Sequence, residues 1–353
     1  MKRTGPLIVL VLVLVVIGAV VGNLLGRGAG PGGGDLKQIK AIIGSEKERF
    51  FADPEVKAAL AKHGFAVRAD AAGSRQMPTR TSGYDFAFPS SKAAAEEVRA
   101  HGDPKGDNVV VFSSPLAVAT FKPIADLLQT AHLAAPDPAT GVWRLDLKAL
   151  AAANRSNLKW TDIPGNITRP VAQNVLVATT RPQDSNSAAM FAVLLDQATG
   201  GDLAAVAKLF TDQGAVDTTS EEPFEAYLRS GGNSAPMVLV YEAQFVDHVV
   251  NDKNADQQET LIYPSPTLVC EHTIVPLSAD GVAVAKLLAT DPELQKLAAK
   301  HGFRTADTAL TAPVFAKVRP GGAALPATID GAVPNPDFNT QQALLTRLEE
   351  KMK

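Results

Sequence analysis

The strongest constraint on this chain is a repeated junction: a short apolar run, a serine-bearing turn, then a helix-forming stretch. Residues 37–43 (KQIKAII) end at Gly44-Ser45-Glu46. Residues 84–88 (YDFAF) end at Pro89-Ser90-Ser91, ahead of a helix predicted over 92–100. Residues 108–112 (NVVVF) end at Ser113-Ser114. Residues 174–179 (NVLVAT) lead to Ser185-Asn186-Ser187 and a helix over 187–197. Strands alternating with helices predict an α/β fold with a mostly parallel sheet covered on both faces.

Further strands are expected at 66–68, 237–245 and 261–262. Helices are expected at 45–62, with Asp53-Pro54 as an internal cap and first-turn proline, and at 124–133, 281–288, 292–301 and 340–352. The stretch DPEVKAALAKHGF (53–65) reappears as DPELQKLAAKHGF (291–303). Both share an acidic start, helical apolar spacing and a closing glycine with a returning phenylalanine, which predicts two equivalent helices packed side by side. His63 and His301 close these helices. A histidine before a terminal glycine is accounted for by the helix dipole, so no metal pair is assigned.

At the other extreme of patterning, residues 7–25 (LIVLVLVLVVIGAVVGNLL) carry no charge. As a helix they would reach about 28 Å, close to a hydrocarbon core of about 30 Å. Lys2 and Arg3 precede the run and only Arg27 follows closely, which orients the N-terminus to the cytoplasm and the remainder outward. A cleaved signal peptide competes with this reading, but its apolar region usually spans about 7–15 residues, and no clear Ala-x-Ala site follows here. The expectation is a transmembrane signal anchor over 1–26, single-pass in the cell membrane, with an extracytoplasmic domain; secretion after cleavage is the alternative. Residues 27–35 form a glycine-rich linker. The only cysteine is Cys270, in the apolar run TLVC, so no lipidation site follows the anchor and no internal disulfide forms. Its ordinary role is a small buried side chain.

The remaining chain is longer than one core usually serves, so two lobes are expected. The 353 residues carry a formal net charge of −3 and lack a basic patch, which excludes nucleic acid as a partner. There is no GxSxG, HExxH or GxxxxGK[ST]. Ser156–Lys159 (SNLK) fits an SxxK pattern without its SDN and KTG companions. Residues 252–256 (DKNAD) open like a calcium loop but lack its central glycine and closing acid. No catalytic residue, cofactor or metal site is assigned.

Three segments together resemble the type II periplasmic solute-binding proteins of ABC-type transport systems, notably their oxyanion-like branch. They are NVLVATTRPQDSNSAAMFAVLL (174–195), VVVFSSPLAVAT (109–120) and LIYPSPTLVCEHTIVPL (261–277). Ala188 stands where that family commonly has glycine, which keeps the helix start but narrows backbone approach. The resemblance implies a two-lobed clamp with a hinge near Ser114 and Ser265. Lobe one would be discontinuous (36–113 and 268–353) and lobe two would be 114–267. A small polar solute would sit between them, for delivery to an ABC permease or another membrane protein. A sensory or interaction module with the same fold is the alternative.

The residues reach a similar place on their own. Ligands of α/β sheets bind beyond the carboxyl ends of strands, where helix N-termini offer unpaired N–H groups. Ser45, Ser90, Ser91, Ser114, Ser185, Asn186 and Ser187 stand at such ends, although each also serves as an ordinary helix cap. Ser45 and Ser185 are the leading candidates for ligand contact, one from each lobe. Arg75 could pair a carboxylate or phosphate. Glu46 and Glu242 favour a cationic or hydroxyl-rich ligand. Tyr84, Tyr241 and Tyr263 could pack against it, with Tyr263 retained as a candidate. The signs are mixed, so the class of solute stays open.

Overall fold

The computed structural model describes residues 35–214, 218–253 and 255–353. The expected membrane span at 7–25 and the glycine-rich stretch 26–34 lie outside the described residues. Among the described residues no helix is long and apolar enough to cross a membrane. Residues Gln38–Lys353 pack as one unit.

Nine strands are present among the described residues: β1 (Lys37–Ile43), β2 (Phe65–Ala71), β3 (Phe86–Phe88), β4 (Val109–Phe121), β5 (Ala134–Pro136), β6 (Trp143–Asp146), β7 (Val238–Tyr241), β8 (Glu259–Ser265) and β9 (Val269–Pro276). They are ordered β2-β1-β3-β9-β4-β8-β6-β5, with β7 also paired to β4. The long strand β4 joins two parts of this array. Its beginning, from Val109 to Pro115, pairs with β9, and its continuation from Leu116 pairs with β7 and β8.

The sheet is mixed, where a mostly parallel one was expected. Pairs β1–β3 and β6–β8 are parallel; β3–β9, β4–β9, β4–β7, β4–β8 and β5–β6 are antiparallel. The cause is local. Ser114 precedes Pro115, which biases it to extended backbone, so β4 runs straight through the junction. Strands β8 and β9, joined by a short link, then retrace β4 in reverse, so both lie antiparallel to it.

Two other expectations change. Residues 174–179 form no continuous strand: Asn174 and Ala178 make single bridges to Lys159 and Val238. The strand expected at 237–245 stops at Tyr241, and a helix (Glu242–Asn251) begins there. Gln244 accepts at Oε1 from the Tyr241 N–H, and Ser114 Oγ accepts from the Ala243 N–H, which favours a helix start over continued pairing.

Helix starts follow the sequence closely because capping is local. Asp53, Ser91, Ser185, Ser278, Asp291 and Asp337 each accept a backbone N–H from the first turn that follows. The two DPE…KHGF helices (Pro54–Lys62 and Pro292–Lys300) do pack together. Asp291, which caps one, lies 3.0 Å from His63 at the end of the other; Asp53 lies 2.9 Å from His301 in return. Each histidine therefore has a carboxylate partner, which accounts for it without a metal.

The first core holds Phe50, Phe88, Phe112 and Phe303, with the rings of Phe112 and Phe303 stacked at 4.0 Å. The second holds Leu116, Trp143, Trp160, Phe191 and Phe210, together with Leu345 and Leu348 of the C-terminal helix Phe338–Met352. Burying each such side chain is worth roughly 1.5–3 kcal/mol. The C-terminal helix thus straps the two halves: its apolar face meets the second core, while Gln342 accepts a hydrogen bond from Arg75 of the first half.

Candidate functional site

The strand-end serines converge. Ser45, Glu46, Ser90, Ser185, Asn186 and Ser187 line one enclosed pocket together with Ala72, Gly73, Ser74, Ser220 and Tyr241. The pocket holds about 170 Å³ of unfilled space and no gap that admits a water molecule. Its walls come from both halves. Ser45 follows β1 in a short turn, and Ser90 and Ser91 follow β3. Ser185, Ser220 and Tyr241 immediately precede the helices Asn186–Thr199, Glu221–Ser230 and Glu242–Asn251.

Hydrogen bonds cross the seam directly. Ser91 Oγ donates to Asn186 Oδ1 at 2.7 Å, and Asn186 Nδ2 donates to the Tyr241 hydroxyl at 3.0 Å. The Ser45 and Ser220 hydroxyls lie 3.3 Å apart, and Ser45 Oγ accepts from the Glu221 N–H at 3.3 Å. Within the second half, Ser185 Oγ pairs with Ser187 and Thr180 and also accepts from the Ala188 N–H. Capping and pocket lining are therefore not exclusive for Ser185. Ser220 makes no cap with its hydroxyl, so that group is available to the seam.

Glu46 sits at the centre. Its Oε1 accepts from Ser90 Oγ at 2.5 Å and from the Lys47 ammonium, and its Oε2 accepts from Ser220 Oγ at 3.4 Å. Lys47 and His272 are fully buried. Nδ1 of His272 lies 3.1 Å from Lys47 Nζ and 3.3 Å from Glu46 Oε1, while Nε2 has no hydrogen-bond partner among the described residues. Burial alone would raise the Glu46 pKa, but Lys47 and His272 outweigh it and hold the carboxyl well below the usual range. Burial and Lys47 together push His272 down to about 4, so the imidazole is neutral. Burial lowers Lys47 as well, against the pull of Glu46. The carboxylate and the ammonium thus offset one another in an otherwise uncharged, hydroxyl-lined pocket.

The other sequence candidates stand elsewhere. Ser114 is buried at the β4 junction, where it caps the helix Glu242–Asn251. Glu242 is buried in a two-pronged pair with Arg304 (2.6 and 2.9 Å) and also accepts from the Tyr263 hydroxyl. Arg75 pairs with Glu97 at 3.2 Å and donates to Gln342 at 2.6 Å under the C-terminal helix. All three charged or phenolic groups are consumed by partners that only packing brings near. Lys47, Ser74, Ser220 and His272 were missed. Ser220-Glu221-Glu222-Pro223 had the signature of a helix start and could have been found; nothing local marks Lys47 or His272 as buried. An open cleft with about 480 Å³ of water-accessible space, lined by Trp160, Asn174, Gln213 and Pro236, lies in the second half and takes in none of the sequence candidates.

No family profile and no curated protein sequence matches the chain. Solved structures do. The periplasmic binding protein AfuA from Actinobacillus pleuropneumoniae, with fructose-6-phosphate bound, superposes with a TM-score of 0.56 at 10% identity, over 89% of this chain and 98% of that one. Iron-bound HitA from Pseudomonas aeruginosa gives 0.52 at 12% identity, over 88% and 99%. A putative phosphate ABC transporter substrate-binding protein from Clostridium perfringens, with bound phosphate, gives 0.50 at 13% identity, over 77% and 100%. The fold is that of the type II periplasmic substrate-binding proteins: mixed α/β, in two domains, as the sequence resemblance implied.

Proposed function

We propose that this chain is an extracytoplasmic solute-binding protein that closes two lobes on a small polar solute at the serine-lined pocket. The observation that carries the reading is the convergence of six serines from both halves, with Asn186 and Tyr241, into one buried polar pocket. Buried hydroxyls are costly unless paired, so a cluster of them across a seam suits a polar guest that both sides grip. The lobes are 36–113 with 268–353, and 114–267. The hinge lies where β4 and the β8–β9 link cross, near Ser114 and Ser265. A guest that contacts both lobes selects the closed state. Residues 1–26 tether the domain to the outer membrane face of its cell, through the glycine-rich stretch 27–35, beside an ABC-type permease.

A thermal-shift screen of the full chain across oxyanions, amino acids, sugars and polyamines tests this. One class should raise the melting temperature by several degrees. No response to any class would sink the solute-binding reading. Mass measurement of the mature N-terminus tests the tether, and loss of the first residues would replace it with secretion.

A second reading, a sensory or interaction module that binds no free solute, is favoured by one feature: the pocket is tightly filled, with no gap for water. An unliganded protein whose two lobes do not separate in solution would support that reading.

A further inference from the structure

The pocket contains an anion already, and it belongs to the chain. The Glu46 side chain folds back over its own turn: a β-carbon on Gly44 would lie 2.5 and 2.7 Å from its two carboxylate oxygens. Those oxygens take up hydroxyl donors from Ser90 on one half and Ser220 on the other, plus the ammonium of Lys47. Converging charged and neutral donors from two lobes, in a site closed to water, form the surroundings of a bound oxyanion. The helices that start after Ser91, Ser185 and Ser220 add their partial positive ends around the same pocket.

We propose that Glu46 is a tethered pseudo-ligand: its carboxylate holds the two halves together without solute and masks a site that would otherwise take a small free oxyanion. This rests on the pocket being the solute site. With the carboxylate gone, Lys47 loses the partner that holds its proton against burial, and the Ser90 and Ser220 hydroxyls lose their acceptor. A sulfate- or phosphate-sized anion restores both. With the carboxylate in place, the same anion meets a buried like charge and no free space. Glu46 thus sets which solutes enter, because a guest must displace it.

The test compares the full wild-type chain with Glu46→Ala and Glu46→Gln. Inorganic sulfate and inorganic phosphate are titrated calorimetrically, with sodium chloride as the ionic-strength control. Lobe separation is read from fluorescent labels at Lys57→Cys and Lys148→Cys, both exposed in the native chain. The expected result is that wild type stays closed and binds neither anion, while Glu46→Ala is open until sulfate or phosphate closes it, with affinity at least about tenfold above wild type. Gly44→Ala gives a second route should the buried change prevent folding. The Gly44 backbone (φ −61°, ψ 138°) suits alanine, but the new methyl would displace the carboxylate and, at 2.7 Å, crowd the Ser90 hydroxyl beside it. That variant should open without solute.

Equal anion affinity in wild type and Glu46→Ala would overturn the mask while leaving solute binding intact. Variants that stay closed and bind neither anion would also overturn it; the thermal-shift panel on wild type then decides the solute-binding reading separately.

Discussion

The α-carbon of Gly73 faces the carbonyl oxygen of Asp184 so closely that a β-carbon there would lie 2.5 Å from it, with the Thr218 carbonyl at 3.2 Å. Gly73 belongs to the first half, and both carbonyls belong to the second. Neither is a flexible side-chain tip, so an added methyl has to push the halves apart. Gly73→Ala should therefore shift the lobes toward the open state and weaken any solute response. Overpacking of this kind costs typically 1–3 kcal/mol. The measurement is lobe-to-lobe energy transfer; an unchanged distance would remove the seam from this position.

Ser45 and Ser185 represent the two sides of the pocket. Replacing both with alanine removes the Ser45–Ser220 contact and the Ser185–Ser187 pair, and orphans the Glu221 and Ala188 N–H groups. The double variant should lose the solute-dependent thermal shift entirely, with each lost cap costing about 1 kcal/mol of stability. A shift that survives would put the guest elsewhere.

Glu242 was expected among the ligand contacts, and its pairing with Arg304 gives it different work. Both Arg304 contacts are short, and the carboxylate is fully buried. Removing one partner of a buried pair strands the other, typically at a cost of 3–5 kcal/mol. Glu242→Ala should lower stability on that scale, measured by urea denaturation, and leave the solute response in place. Normal stability with a lost response would return Glu242 to the ligand.

Glu221 lies at the seam, and burial pushes its pKa up to about 7 against the opposing pull of Gln244 and Arg49. A raised carboxyl pKa means that the folded state binds the proton more tightly. Its contribution is fully present below the unfolded value of about 4.5 and is lost as pH rises through 7. Between pH 5 and pH 8 the chain should therefore lose stability on the order of 1–3 kcal/mol from this group. Glu221→Gln should flatten that slope in urea titrations at the two pH values; an undiminished slope would place its origin elsewhere.

His301 adds a contribution of the same sign. Burial lowers its pKa, but Asp247 at 2.6 Å and Asp53 at 2.9 Å outweigh that and raise it above the usual value. The stabilisation is complete below the unfolded pKa and fades as pH rises through the folded one. Arg49 and Lys300 also face these carboxylates, at 3.5 and 3.4 Å, so the pairing is shared and the slope modest. Imidazole resonances followed by NMR should titrate above the ordinary range in wild type and return to it in Asp247→Asn; an unshifted titration would refute the clamp.

Local chemistry made much of this chain legible as sequence. A serine or aspartate ahead of an apolar-periodic stretch readily caps a helix, so the helix starts after Ser91 and Asp291 stand where they were read, and the one read from Ser187 begins one residue earlier, behind Ser185. The pairing of the DPE…KHGF helices was legible for another reason, the repeat of one segment at two places in the chain. What sequence did not determine is which strand-end groups meet. Ser45, Ser90 and Ser185 converge, while Ser114, Arg75, Glu242 and Tyr263 are taken up by partners distant in the chain. Lys47 and His272 carry no local mark of burial: β9 must pair with β4 before His272 reaches Glu46. Strand direction followed the same rule, since a return along β4 is a property of the packed chain and not of any one run. Caps and apolar periods act within a turn or two and are written in the sequence. The charge, closure and occupancy of the pocket depend on long-range pairing and were decided only by the tertiary structure.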